Sequence, residues 1–181
     1  MAGSSTAETP AFFFDLASPV AYIAAERALE HHPGVEWVPV LARELPGAET
    51  FDAYRCADER DIALSQIERD VVAGGLQPLR WPDPFPFDSL FAMRVATYAK
   101  QIGRTVAFAL AAYRQAFAGG RSLADPDNVM IAAAACEMHP SAVLKAAELR
   151  GVRDALDAAT ERARGLGVRD VPAVFDGERL L

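Results

Sequence analysis

Apolar and polar positions along this chain fall into two patterns: short apolar runs near the ends, and long stretches at helical spacing between them. Residues 11–16 (AFFFDL) form an apolar, aromatic run too brief for a helix, which predicts a buried strand. Helix-start signals follow at once. Ser18 can cap and Pro19 can be the first helical residue, after which Tyr22, Ala25, Ala28 and Leu29 share one face as far as His31. Pro33-Gly34 breaks that pattern, and residues 35–41 (VEWVPVL) read as a second strand in which Pro39 marks an edge or irregular position. A strand, one helix and a second strand imply parallel pairing with a right-handed crossover.

From 51 to 167 strand signals almost vanish, and alanine-rich helical segments are punctuated at Gly74-Gly75, Gly103, Gly119-Gly120 and His139-Pro140. The irregular stretch is 80–88 (RWPDPFPFD), whose three prolines forbid helix and present Trp81, Phe85 and Phe87 at fixed angles. Ser122 and Asp125 are expected to start helices, and a last helix is expected over 155–166, ending at Gly167. Residues 171–175 (VPAVF) read as a strand, Asp176-Gly177 as a hairpin turn, and 178–181 as the start of its partner. The expected architecture is α/β: a β-α-β unit, a large all-helical insertion over approximately 51–150, then a β-hairpin. One domain over 11–181 would follow a flexible polar tail at 1–10.

A chain of 181 residues can bury a core without staples. Its formal net charge of −7 repels phosphate backbones and anionic lipid heads, so neither nucleic acid nor a membrane is an expected partner. No run approaches the roughly 20 apolar residues of a spanning helix. The opening MAGSSTAETP lacks the basic start and apolar run of a secretory signal, so a cytoplasmic location is expected. Cys56 and Cys136 are lone thiols outside any Cys-x-x-Cys, and His31, His32 and His139 show no metal-ligand spacing, so no metal is assigned.

Two short features carry candidate chemistry. Ser18-Pro19, directly after a strand, puts a hydroxyl at a helix N-terminus, where unpaired N–H groups and the helix dipole favour negative charge. Ser before Pro is also an ordinary way to begin a helix. Val171-Pro172 at the head of a strand removes a ladder donor and signals either a cis bond, which would leave the Val171 backbone open to an extended ligand, or a plain edge-strand proline.

The segment AFFFDLASPVAYIAAERAL resembles the opening of the 2-hydroxychromene-2-carboxylate isomerase and kappa-class glutathione transferase group, a branch of the DsbA-like thioredoxin superfamily. Similar matches run through LRWPDPFPFDSLFAMR, RSLADPDNV and ALDAATERARGLGVRDVPAVFDGERL. The resemblance implies a thioredoxin-like fold and a cis bond at Val171-Pro172. In redox members Cys-Pro-x-Cys occupies the place held here by Ser18-Pro19-Val20-Ala21, so dithiol exchange lacks both its sulfurs. In the resembling isomerases the serine hydroxyl supports the thiolate of bound glutathione, and the residue before the cis-proline pairs with the tripeptide backbone; Ser18 and Val171-Pro172 match those positions. Arg43, Arg80, Trp81, Asp88 and Arg94 are the substrate contacts the resemblance implies, Asp88 standing where asparagine is usual. The implied activity is a glutathione-dependent isomerase or transferase acting on a small aromatic electrophile, in a chain whose relatives are often homodimers. The alternative is a non-catalytic thioredoxin-fold protein that has lost glutathione binding and holds an extended peptide or apolar ligand through Val171.

Overall fold

In a computed structural model, residues 8–48, 54 and 56–181 are described. Strand β1 (Ala11–Phe14) is buried on both faces, as a run of AFFF requires. Ser18 then caps helix α1 (Pro19–His31) with Pro19 in its first turn, and strand β2 (Glu36–Pro39) returns parallel to β1 with Phe12 beside Trp37. Strand β3 (Ala173–Phe175) pairs antiparallel on the other side, giving the order β2-β1-β3. The β-α-β opening thus forms as its chemistry dictates, with Pro39 on an edge strand, where a missing donor is tolerated.

Between β2 and β3 lie a 3₁₀ turn (Ala42–Glu44) and the helices α2 (Ala57–Ala73), α3 (Leu90–Gln101), α4 (Thr105–Tyr113), α5 (Pro126–Ala135), α6 (Pro140–Glu148) and α7 (Arg150–Gly165). A π-helical turn (Arg114–Ala118) extends α4. The expected start of the insertion, 51–53, lies outside the described residues, as do 1–7 of the expected tail. Glu8 pairs with Arg162 at 3.7 Å, and the Thr9 carbonyl accepts from the same guanidinium at 3.0 Å.

Three expectations need correction. Ser122 starts no helix: it is buried, its hydroxyl accepts from Ala124 N–H, and α5 begins beyond it with Asp125 as cap. The last helix begins at Arg150 rather than Ala155, because Leu149 closes α6 and opens α7 in one extended residue without a side-chain cap. The hairpin's second arm amounts to a single bridge, Phe175 to Leu180, with the Leu181 N–H donating to Val174. No helix among the described residues is long and apolar enough to cross a membrane.

The core is aromatic. Phe12 and Phe14 meet Trp37 edge-on at 4.9 and 5.8 Å, and a second cluster of Tyr22, Tyr113 and Phe117 continues from Phe14 towards Phe85 and Phe87. On the opposite face of β1 the Arg162 guanidinium of α7 lies 5.7 Å over the Phe13 ring. The Leu41 N–H donates to Thr160 on α7, which ties the end of β2 to the insertion.

Tyr113 is fully buried and donates its phenol proton to the Asp15 carbonyl at 2.9 Å. Burial, and then the nearby Asp15 charge, hold its pKa well above 10.0, so it remains a donor at every physiological pH. The same carbonyl also accepts from Ser18 N–H at 3.1 Å, so it keeps a partner when the phenol is removed. Tyr113→Phe is therefore expected to cost only about 1 kcal/mol in urea unfolding.

Candidate functional site

The C-terminal ends of the parallel pair β1 and β2, and the approach to β3, converge on one side of the sheet, where open α/β sheets place ligands. A cavity of about 280 Å³ opens there. Ser18 from the start of α1, Asp15 from the end of β1 and Ala42-Arg43 from the turn after β2 form one side. Pro86, Phe87, Asp88 and Ser89, leading into α3, form another, and Asp170-Val171 before β3 completes it. That volume lies at the lower end of the range of small-molecule pockets.

Ser18 stands at the mouth of α1. Its Oγ accepts from Ala21 N–H at 3.1 Å, so the hydroxyl caps the helix as a plain Ser-Pro start would. That bond uses an oxygen lone pair and leaves the hydroxyl proton able to donate into the cavity. Capping and anion support are therefore compatible in one side chain. The helix dipole adds to the same preference for negative charge.

Asp15 is the residue that the pattern of apolar runs does not single out. It is 3 % exposed, yet its carboxylate accepts from Ala17 N–H and from Ala42 N–H, both at 2.9 Å, with a further hydrogen bond from Ser89. Burial raises its pKa above the ordinary 3.8, while the two N–H groups, Ser89 and the Arg43 charge pull it the other way. The side chain stitches together the end of β1, the turn after β2 and the entry to α3, three of the segments that line the cavity.

The bond between Val171 and Pro172 is cis, as expected. Val171 is buried and lines the cavity, whereas Pro172 faces a separate groove with Phe12, Ala24 and Val174. The Val171 N–H, expected to be open to an extended ligand, instead donates to Oδ1 of Asp170 at 2.7 Å. Two residues earlier, the Arg169 carbonyl accepts from Gly47 N–H at 2.7 Å. A Cβ on Gly47 would stand 3.0 Å from Arg169 Cβ and 3.1 Å from its carbonyl oxygen. Gly47→Ala is expected to push the two loops apart and lower stability by about 1–2 kcal/mol, measured by thermal unfolding.

Arg43 and Asp88 both reach the cavity and pair with each other at 3.0 Å, with both side chains more than half exposed. Asp88 Oδ1 also accepts from Leu90 N–H at 2.9 Å, so this carboxylate steadies the first turn of α3 as an asparagine would. Arg80, Trp81 and Arg94 do not line the cavity. Arg80 is exposed and donates its backbone N–H to Phe117. Trp81 packs on Phe85 at 4.7 Å and donates to Glu68 on α2, while Arg94 is half-buried on α3. The segment also holds cis bonds at Asp83-Pro84 and Phe85-Pro86, and Arg60 donates to the Phe85 carbonyl. Cys56 is exposed and Cys136 buried, and neither thiol lines the cavity.

A family model described as the DSBA-like thioredoxin domain matches residues 11–181. No curated protein matches the chain by sequence. Among solved structures, a 2-hydroxychromene-2-carboxylate isomerase is 17% identical, with a TM-score of 0.82 over 96% of this chain and 88% of that one. A probable DsbA oxidoreductase from Streptomyces coelicolor is 23% identical, with a TM-score of 0.74 over 96% of this chain and 82% of its own. The cytosolic disulfide reductase DsbM from Pseudomonas aeruginosa, solved with GSH, is 16% identical, with a TM-score of 0.62 over 96% and 88%.

Proposed function

The chain belongs to the DsbA-like thioredoxin family, and from that footing we propose that it is a glutathione-dependent isomerase or transferase acting on a small aromatic electrophile. The observation that carries this reading is Ser18: a hydroxyl at the N-terminus of a 13-residue helix, lining the cavity beside Val171, with its proton available to an anion. A thiol of ordinary pKa near about 8.5 gains thiolate character at neutral pH when a helix N-terminus and a hydroxyl donor stabilise the anion. Ser18 is the donor to sulfur and glutathione supplies the nucleophile. The similar fold of a disulfide reductase solved with GSH supports the choice of ligand, and that of a 2-hydroxychromene-2-carboxylate isomerase the choice of reaction.

In the isomerase version the thiolate adds to a conjugated carbon, a C–S bond forms, and the π electrons move to the carbonyl oxygen. The former double bond rotates, and the returning electrons expel the thiolate with no net consumption. In the transferase version the C–S bond persists and a leaving group departs with its electron pair. Dithiol exchange is not proposed, because positions 18 and 21 are Ser and Ala.

The test is a crystal structure of the protein soaked with glutathione. The expected result is sulfur within hydrogen-bond distance of Ser18 Oγ. Glutathione bound elsewhere, or no glutathione at saturating concentration, overturns the reading.

A further inference from the structure

Two backbone groups on the edge before the cis-proline are already engaged from within the chain. The Arg169 carbonyl is held by Gly47 N–H, and the Val171 N–H by the carboxylate of Asp170, each at 2.7 Å. Asp170 and Val171 line the cavity that contains Ser18, so this edge faces the space a ligand would occupy. We propose that Asp170 is a specificity-determining residue: its carboxylate occupies the Val171 amide, disfavours ligands that dock by main-chain pairing there, and reserves the cavity for compact molecules held at Ser18.

The argument is one of exchange. An amide in a buried residue needs a partner, and here the partner is supplied by the adjacent side chain. An incoming peptide carbonyl therefore gains only the difference between its own neutral bond and the charge-assisted bond it breaks. The displaced carboxylate must then remain near Asp15 and Asp88, the other acids that line the cavity. Glutathione meets the same competition through its cysteinyl main chain, while its sulfur is unaffected, so the wild-type protein is expected to hold it loosely and by the thiol end. This inference rests on the glutathione reading for its ligand, but the hold of Asp170 on the amide does not.

The experiment measures amide hydrogen exchange at Val171 and calorimetric affinity for glutathione in wild type, Asp170→Ala and Asp170→Asn. Asparagine keeps a carbonyl acceptor and removes the charge, which separates occupancy of the amide from electrostatic repulsion. Val171 is expected to be protected in wild type and Asp170→Asn and to exchange rapidly in Asp170→Ala. Affinity is expected to rise by about 10- to 100-fold in Asp170→Ala and by a clearly smaller factor in Asp170→Asn, which keeps an acceptor on the amide but loses the charge assistance. Asp170→Gly takes the place of the alanine variant if the latter does not fold. Protection that survives in Asp170→Ala, a measurable affinity unchanged by it, or an Asp170→Asn protein matching Asp170→Ala overturns the proposal. If no variant binds glutathione, the proposed function falls, and the exchange data alone decide whether Asp170 holds the amide.

Discussion

Replacing Ser18 by alanine is expected to lower kcat for glutathione-dependent turnover of a chloronitroaromatic by about 10²–10³-fold, the usual loss when one donor to a developing or resident anion is removed. The same change deletes the cap on α1, where Oγ accepts from Ala21 N–H, and is expected to cost about 1 kcal/mol in unfolding. Ser18→Asp separates the two effects. Aspartate caps a helix as well as serine does, but an ionised carboxylate donates nothing and repels a thiolate. Stability close to wild type with turnover at or below that of Ser18→Ala assigns the loss to the missing proton donor. Turnover retained in Ser18→Asp would reduce Ser18 to a helix cap.

Asp15→Ala is expected to be the most destabilising single change at the cavity, by about 2–4 kcal/mol, because it strips the partners from the N–H groups of Ala17 and Ala42 at once. The pH dependence of that loss has a definite sign. Burial sets the folded-state pKa of Asp15 above 3.8, so the folded chain holds this proton more tightly than the unfolded chain. The linked stability is fully present below pH 3.8 and is lost as the pH rises through the raised value. Urea midpoints of wild type and variant should therefore differ most in acid and converge part of the way as the pH rises through that window. A gap that widens with pH would mean that the three hydrogen bonds and Arg43 outweigh desolvation.

The opening of the fold is legible because each boundary has a chemical marker. Ser18-Pro19 starts α1 and Pro33-Gly34 stops it, and four residues of AFFF leave nowhere to go but a central strand. The start of α7 is illegible for the complementary reason. Leu149 serves two helices without a side-chain cap, and the RGVRD that follows mixes charge with glycine, so no breaker or capping residue announces the turn. Ser122 shows the opposite failure, a capping residue type used in a turn.

At the site, Ser18 and the cis-proline pair are visible in the sequence because each is a local constraint on the backbone. Asp15 is visible only as one acid inside an apolar run. Its meaning lies in Ala42 and Ser89, far along the chain, which no periodicity links to it. Trp81 is expected at the cavity from the family resemblance, but the proline-rich loop turns it onto Phe85 and Glu68, and Pro86 and Phe87 line the cavity instead. The engagement of Val171 by Asp170 depends on one side-chain rotamer, which composition and spacing do not encode.

The central claim is that this cavity stabilises a thiolate at Ser18, and ultraviolet difference titration of glutathione into the wild-type protein across neutral pH tests it most directly. The account predicts a thiolate absorbance on binding at pH values where free glutathione remains a thiol, and its loss with Ser18→Ala. Bound glutathione whose thiol titrates as it does in water, in wild type and variant alike, would contradict it.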